Sequence, residues 1–241
     1  MTDRSTLVSA AVFGGLVALG LALAGWFVGQ GVVNARVGDR SVTVRGLSER
    51  DVVADVAVLP LRFTASGDVL AEVQAQVDRN TAVVRAFLRA EGYRDEDVEL
   101  GRLEVTDMLS REYRPDNITS RFILAQTVTV RTSDVARVSA TTRNLNELVR
   151  QGVVLQDFRG PSYFFTGLNE VRPAMIAEAT ASAREGAQQF AEDSGQAVGP
   201  IKQATQGYFE IQPRDPTPDG DESTAVNKRV RVVTTITYRL R

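Results

Sequence analysis

What this chain lacks decides most of the chemistry open to it. Its 241 residues include no Cys and no His. That removes Ser-His-Asp and Cys-His nucleophilic catalysis, thiolate and imidazole metal sites, iron–sulfur clusters and disulfides. Carboxylates, hydroxyls, Tyr, Arg and two lysines, Lys202 and Lys228, remain. A general base must then be a tuned carboxylate, Lys or Tyr, and no motif marks one. With 30 acidic residues chance carboxylate pairs abound, and nothing selects a pair for glycoside hydrolysis. The expectation is a protein with no catalytic residues, no cofactor and no metal; the alternative is a carboxylate-dependent hydrolase or lyase.

Three segments concentrate chemistry. Pro213 to Glu222 carries Asp215, Asp219, Asp221 and Glu222, oxygen donors of the kind Ca²⁺ takes. The Pro, Thr, Pro and Gly between them break the EF-hand order, so the segment reads as a solvated hairpin loop. Arg229, Arg231, Arg239 and Arg241 alternate with Val230, Val232, Tyr238 and Leu240, which gives a strand with one apolar face and one face basic near its ends. Tyr163, Phe164 and Phe165 must place rings on both faces of their segment. One side goes to a core and the other is a candidate oligomer interface. The net charge of -2 and a pI near 5.4 leave no basic field for nucleic acid, so none is expected as a partner.

These segments hang from an apolar N-terminus. No charged side chain occurs between Arg4 and Arg36, and residues 7–28 are apolar enough to contact membrane lipid. As a helix those 22 residues reach about 33 Å, close to the hydrocarbon thickness of a bilayer. Trp26 suits the membrane interface. An A-x-A site stands at Ala22 to Ala24, but the basic segment before it is poor and the apolar run continues beyond it, which favours an uncleaved anchor over a signal sequence. Arg36, Arg40 and Arg45 after the span outnumber Arg4 before it, a count that alone holds the domain in the cytoplasm, although long domains translocate regardless. The chain thus divides into an anchor and linker, 1–36, and one domain, 37–241.

Within the domain, alternation predicts strands over 41–46 and 53–64, joined by a turn at Gly46 to Arg50. Helical spacing follows over 68–91, closed by Gly92. Strands over 98–109 and 121–131 flank a polar loop, 110–119, and form a long hairpin. Ser133 or Asp134 caps a second helix that ends before Gly152, and a strand is expected over 153–165. Asn169 is expected to cap a third helix of about 25 residues. Its inner face is read as Ala174, Met175, Ala177, Ala181, Ala183, Ala187, Phe190 and Ala191. Strands over 201–212 and 228–240 complete the chain. The order helix, strand, polar loop, strand occurs twice, from about 69 and from about 169, and implies an α+β fold with helices packed on antiparallel sheet.

Val42-Thr-Val-Arg-Gly-Leu-Ser-Glu49, followed by Ala54-Asp55, resembles the opening of SIMPL-domain proteins. The stretches from Tyr163 to Thr180 and from Gly199 to Asp215 are similar to the branch of that family with an N-terminal membrane segment. The resemblance covers about residues 40 to 240. It implies a bacterial envelope protein whose domain faces the periplasm, often a homo-oligomer, with no established enzymatic activity; together with the apolar span of residues 7–28, the expectation is a single-pass protein of the bacterial inner membrane.

Overall fold

A computed structural model describes residues 4–37, 40–110, 119–216 and 221–241. Most of the polar loop over 110–119, and Asp219 of the acidic loop, lie outside them. The uncharged N-terminal run forms α1 (Arg4–Val37), about 50 Å long at 1.5 Å per residue. Its window Phe13–Gln30 has a mean hydropathy of 1.6 and is wholly exposed. Trp26, in that window, is 67% exposed. The helix satisfies the length and composition of a membrane span, a test that a signal sequence near an N-terminus also passes.

The rest is α+β with two antiparallel sheets, and it divides into two compact units. The larger comprises Glu49–Met175 and Phe209–Arg231. Here β2 (Val56–Gly67) pairs with β5 (Phe122–Thr132) from Ala57↔Thr132 to Gly67↔Phe122. On the far side of β5 lie two short strands, β3 (Val98–Leu100) and β4 (Glu104–Asp107). Ala57, Leu59, Leu61 and Phe63 occupy one face of β2 and are fully buried. They meet Val73, Val77, Val84 and Leu88 of α2 (Leu70–Ala90), whose apolar residues recur at helical spacing. Asp134 caps α3 (Val135–Asn144) by accepting from the Arg137 N–H at 2.9 Å.

The smaller unit comprises Met1–Ser48, Ile176–Tyr208 and Val232–Arg241. Its sheet is formed by β1 (Ser41–Val53), β9 (Asn227–Leu240) and β7 (Val198–Gln206), in the order β1-β9-β7. The Leu240 N–H donates to the Arg40 carbonyl at 2.9 Å, and the hydroxyls of Thr43 and Thr237 lie 2.9 Å apart, which fixes an antiparallel register. Helix α5 (Leu168–Asp193) supplies Ala183 and Ala187 to a small core with Val42, Ile236 and Tyr238. A further short strand, β8 (Glu210–Pro213), pairs with β9 through Lys228 to Arg231 and belongs to the larger unit. β1, α5 and β9 each give residues to both units.

Several expectations need correction. The strand expected over 41–46 runs on to Val53, and no turn occurs at Gly46 to Arg50. Gly46 is there because a Cβ would fall 1.8 Å from the Ala179 carbonyl oxygen: the glycine marks a close approach of strand and helix. The strand expected over 53–64 is β2, which starts only at Val56 and runs to Gly67, so Val53 and Asp55 are not part of it. The strand over 98–109 is broken at Gly101, whose N–H donates to the Thr127 carbonyl at 2.9 Å while Gln126 Nε2 donates to the Gly101 carbonyl at 2.6 Å. The strand over 201–212 breaks in the same way, with the Gly207 N–H donating to the Val233 carbonyl at 2.8 Å. The second helix is interrupted at Leu145, so that α4 (Asn146–Arg150) is separate.

Of the strand over 153–165, β6 (Ser162–Phe164) survives, paired with β2, together with a single bridge from Leu155 to Phe63 of β2. Asp157 with φ 51° and Gly160 with φ 92° bend the chain out of extended conformation. α5 begins at Leu168, so Asn169 lies inside it. Its buried stripe is the strict i, i+4 series Met175, Ala179, Ala183, Ala187 and Ala191; Ala174, Ala177, Ala181 and Phe190 are exposed.

The repeated order is a repeat of structure. Gly101 and Gly207, with their acceptors Thr127 and Val233, stand 106 residues apart, as do β4 and β8. The same offset relates Val98↔Val130 to Ala204↔Ile236. Leu103-Glu104-Val105 answers to Phe209-Glu210-Ile211, a likeness too short to stand out before the strands are aligned.

Candidate functional site

Two surfaces stand out, one in each unit. In the larger, the end of α2 and the segment α3 to α4 enclose a cleft of 590 Å³. The α2 wall is made of Ala86, Phe87, Ala90 and Glu91. Gly92, at φ 88°, ends the helix and turns Tyr93 inward. The Tyr93 hydroxyl lies 3.0 Å from that of fully buried Thr141, and Thr141 donates to Glu91 Oε2 at 3.1 Å. Burial raises the Tyr93 pKa. Asn144 Nδ2 donates to Glu91 Oε1 at 3.0 Å and reaches Oε2 at 3.3 Å. Glu91 is thus held by a chain of side chains that starts in the core.

Glu147 is held on the opposite wall. Gln151 donates to its Oε1 at 3.1 Å and Arg150 to its Oε2 at 3.2 Å, and these two bonds lower its pKa. Arg143 projects from the last turn of α3 and has no partner among the described residues. The cleft therefore offers two fixed carboxylates, two guanidiniums and, on its α2 wall, small apolar side chains.

In the smaller unit the notable surface is β7. It pairs with β9 along one edge, and no strand pairs with its other edge among the described residues. From Pro200 to Tyr208 every residue is exposed, with Ile201 at 48% and Tyr208 at 94%. A half-buried strand covers one face in turn; this one is uncovered on both. Where β7 begins, a groove of 440 Å³ lies beside it, bounded by Arg184 and Gln188 of α5 and by Tyr238. The Tyr238 and Thr234 hydroxyls are buried without a hydrogen-bond partner among the described residues.

The aromatic segment divides. Tyr163 packs into the core of the larger unit, with its hydroxyl 3.0 Å from that of Ser139. Phe164 is 41% exposed, and Phe165 is half-buried against Gly167. The basic face of β9 is partly neutralised: Arg229 donates to Asp51 at 2.8 Å, and Arg231 stands 3.5 Å from Glu49. No group of three or more His, Cys, Asp or Glu able to hold a metal occurs among the described residues.

A comparison with protein-family models finds the SIMPL model, described as a protein of unknown function (DUF541), over residues 42–238. The chain belongs to the SIMPL family. No curated protein matches it. The residues that carry the resemblance have visible roles in this SIMPL chain. Gly46 admits α5, and Glu49 pairs with Arg231. Asp55 accepts the backbone N–H groups of Thr166 and Gly167, at 2.9 and 3.1 Å, and the Thr166 hydroxyl at 3.1 Å. It caps the start of α5 from 111 residues away, the task expected of Asn169.

The sequence marks Lys228 only as chemically able; in the SIMPL fold its side chain is fully buried and ion-paired with Glu222, and its Nζ also donates to the Glu222 carbonyl at 2.5 Å. Its even-numbered place among the buried residues of β9 was the available signal.

Proposed function

We propose that this SIMPL protein is a non-enzymatic envelope module, held in the bacterial inner membrane by an uncleaved α1 with its domain in the periplasm, which self-assembles through the outer edge of β7. The observation that carries this reading is the two-sided exposure of β7. An unpaired edge is a template for another strand unless charges, Pro or a covering element block it. β1, the other edge of that sheet, carries Arg45, Glu49, Arg50 and Asp51; in β7 the one charge, Lys202, and the one proline, Pro200, both lie in the irregular first half, before the continuous ladder from Gln203 to Gln206. A second copy of β7 laid antiparallel extends the sheet across a two-fold axis, and tethering in a membrane raises the local concentration. Phe164, exposed in the larger unit, is the secondary contact. The non-enzymatic part is supported by the absence of Cys and His from the sequence and of any motif that marks a carboxylate, Lys or Tyr as a general base.

Light scattering on the full chain in detergent tests the assembly. Because Gly207 donates to Val233, alternation along the ladder turns the Ala204 N–H toward the open side. Ala204→Pro then removes a donor from the edge and none from the pairing with β9. A multimer that becomes a monomer supports the reading; a wild-type monomer at tens of micromolar overturns it. Protease added to spheroplasts degrades a periplasmic domain, and intact mass of the membrane fraction reports whether α1 is retained. A turnover-dependent product abolished by one Asp or Glu substitution would overturn the non-enzymatic part.

A further inference from the structure

We infer that the cleft between α2 and α4 is a binding site for a small zwitterion, an amino acid or short peptide with free termini and small side chains. The inference stands apart from self-assembly and uses none of the same residues. Ligand classes are separated by the charge and shape of the walls. Glu91 and Glu147 face a polyanion with two fixed negative charges, which disfavours nucleotides and phosphorylated ligands. Arg143 and Arg150 do the same to a polyamine. A sugar gains from an open aromatic face, but Phe87 is a core residue that shows the cleft little of its ring. A molecule carrying one carboxylate, one ammonium and a compact apolar body meets none of these objections.

The unused valences fit such a molecule. A carboxylate accepts about four hydrogen bonds. Glu91 already takes contacts from Thr141 and Asn144, and its Thr141–Tyr93 support fixes it before any ligand arrives. One site on Glu91 and two on Glu147, beyond its bonds to Gln151 and Arg150, remain for an ammonium. The unpartnered Arg143 fork matches a carboxylate through two parallel N–H donors. Ala86 and Ala90 on the same lining leave room for methyl-sized side chains.

The probe is L-alanyl-L-alanine, titrated calorimetrically into the full chain in detergent alongside its N-acetylated and C-amidated forms. Saturable binding of the free dipeptide is expected, weakened at least about tenfold by blocking either terminus and by Arg143→Gln. Arg143 is exposed and unpaired, so its removal leaves the fold intact. Glu91→Gln is expected to weaken the free dipeptide more than the N-acetylated one. No saturation at about 1 mM dipeptide, or equal binding by wild type and Arg143→Gln, overturns the inference.

Discussion

At the place where the larger unit sets Leu61 opposite Val128, the register of the smaller unit sets Gly46 opposite Thr234; where the larger has Phe63, the smaller has Ser48. The helices differ in the same sense. Val73 and Val77 of α2 answer, 106 residues on, to Ala179 and Ala183 of α5. Strand and helix have been reduced together, large against large in one unit and small against small in the other. The larger unit gains its stability from side-chain volume, at about 0.8 kcal/mol per buried methylene. The smaller gains it from nearness of backbone, with Ser48 Oγ donating to Glu178 at 2.7 Å, and its β7 is left uncovered. One plan thus yields a self-sufficient core and a thinner sheet whose outer strand is free to pair.

The contrast is broken most severely by emptying the larger core. Phe63→Ala is expected to cost about 3–5 kcal/mol, read from the denaturation midpoint of the full chain. A loss below about 1 kcal/mol would show that side-chain volume is not what holds this unit. Asp55→Ala strips the cap from α5 and is expected to cost about 1.5–3 kcal/mol, with the amides of Thr166 and Gly167 losing protection from hydrogen exchange. Unchanged protection there would sink the capping role.

Gly46→Ala sharpens the comparison from the other side. Pushing α5 off β1 is expected to cost about 1–3 kcal/mol and to raise exchange in residues 41–48 and 176–193, while the amides of β2 and β5 keep theirs. Equal acceleration in both units would dissolve the distinction between them.

The smallest effect is that of acid. Arg62 hydrogen-bonds Glu104 and Arg94 hydrogen-bonds Asp97, and each lowers its carboxylate's pKa. A lowered pKa gives stability that is full above the ordinary carboxylate range and is lost as pH falls through the folded value, so the β3 and β4 edge is expected to loosen only as pH falls below about 4, the ordinary carboxylate range. Replacing Arg62 by Met should remove the part of that loosening due to Glu104; persistence of the full acid response would assign it elsewhere.

Regular local signals made much of the fold legible in the sequence. The apolar stripe of α2, the Asp134 cap, the alternation of β5 and β9 and the doubled order of elements all follow from periods of 3.6 and 2. What failed depends on distant partners. A glycine required by a helix 133 residues away reads like a turn glycine, and a cap supplied by Asp55 leaves no local mark. The segment 153–165 has the composition of a strand, but Asp157 and Gly160 bend it. The cleft was invisible for the same reason: Glu91 and Asn144 meet across 53 residues, and neither belongs to a motif. Tyr163 to Phe165 was legible as a two-faced segment, and its inner member is the core residue Tyr163.

β9 comes last among the strands, yet β1, β7 and β8 all pair with it. A nascent chain that has released its first two hundred residues therefore still lacks the strand on which its whole first sheet is assembled. β1 must wait unpaired until β9 has been made, and over that interval residues 41–53 are a standing target for chaperones, proteases or mispairing. Contacts spanning almost two hundred positions make the closing step slow on the scale of local helix formation. A truncation that removes β9 is expected to forfeit far more than its 14 residues, because it removes the centre of the four-stranded sheet.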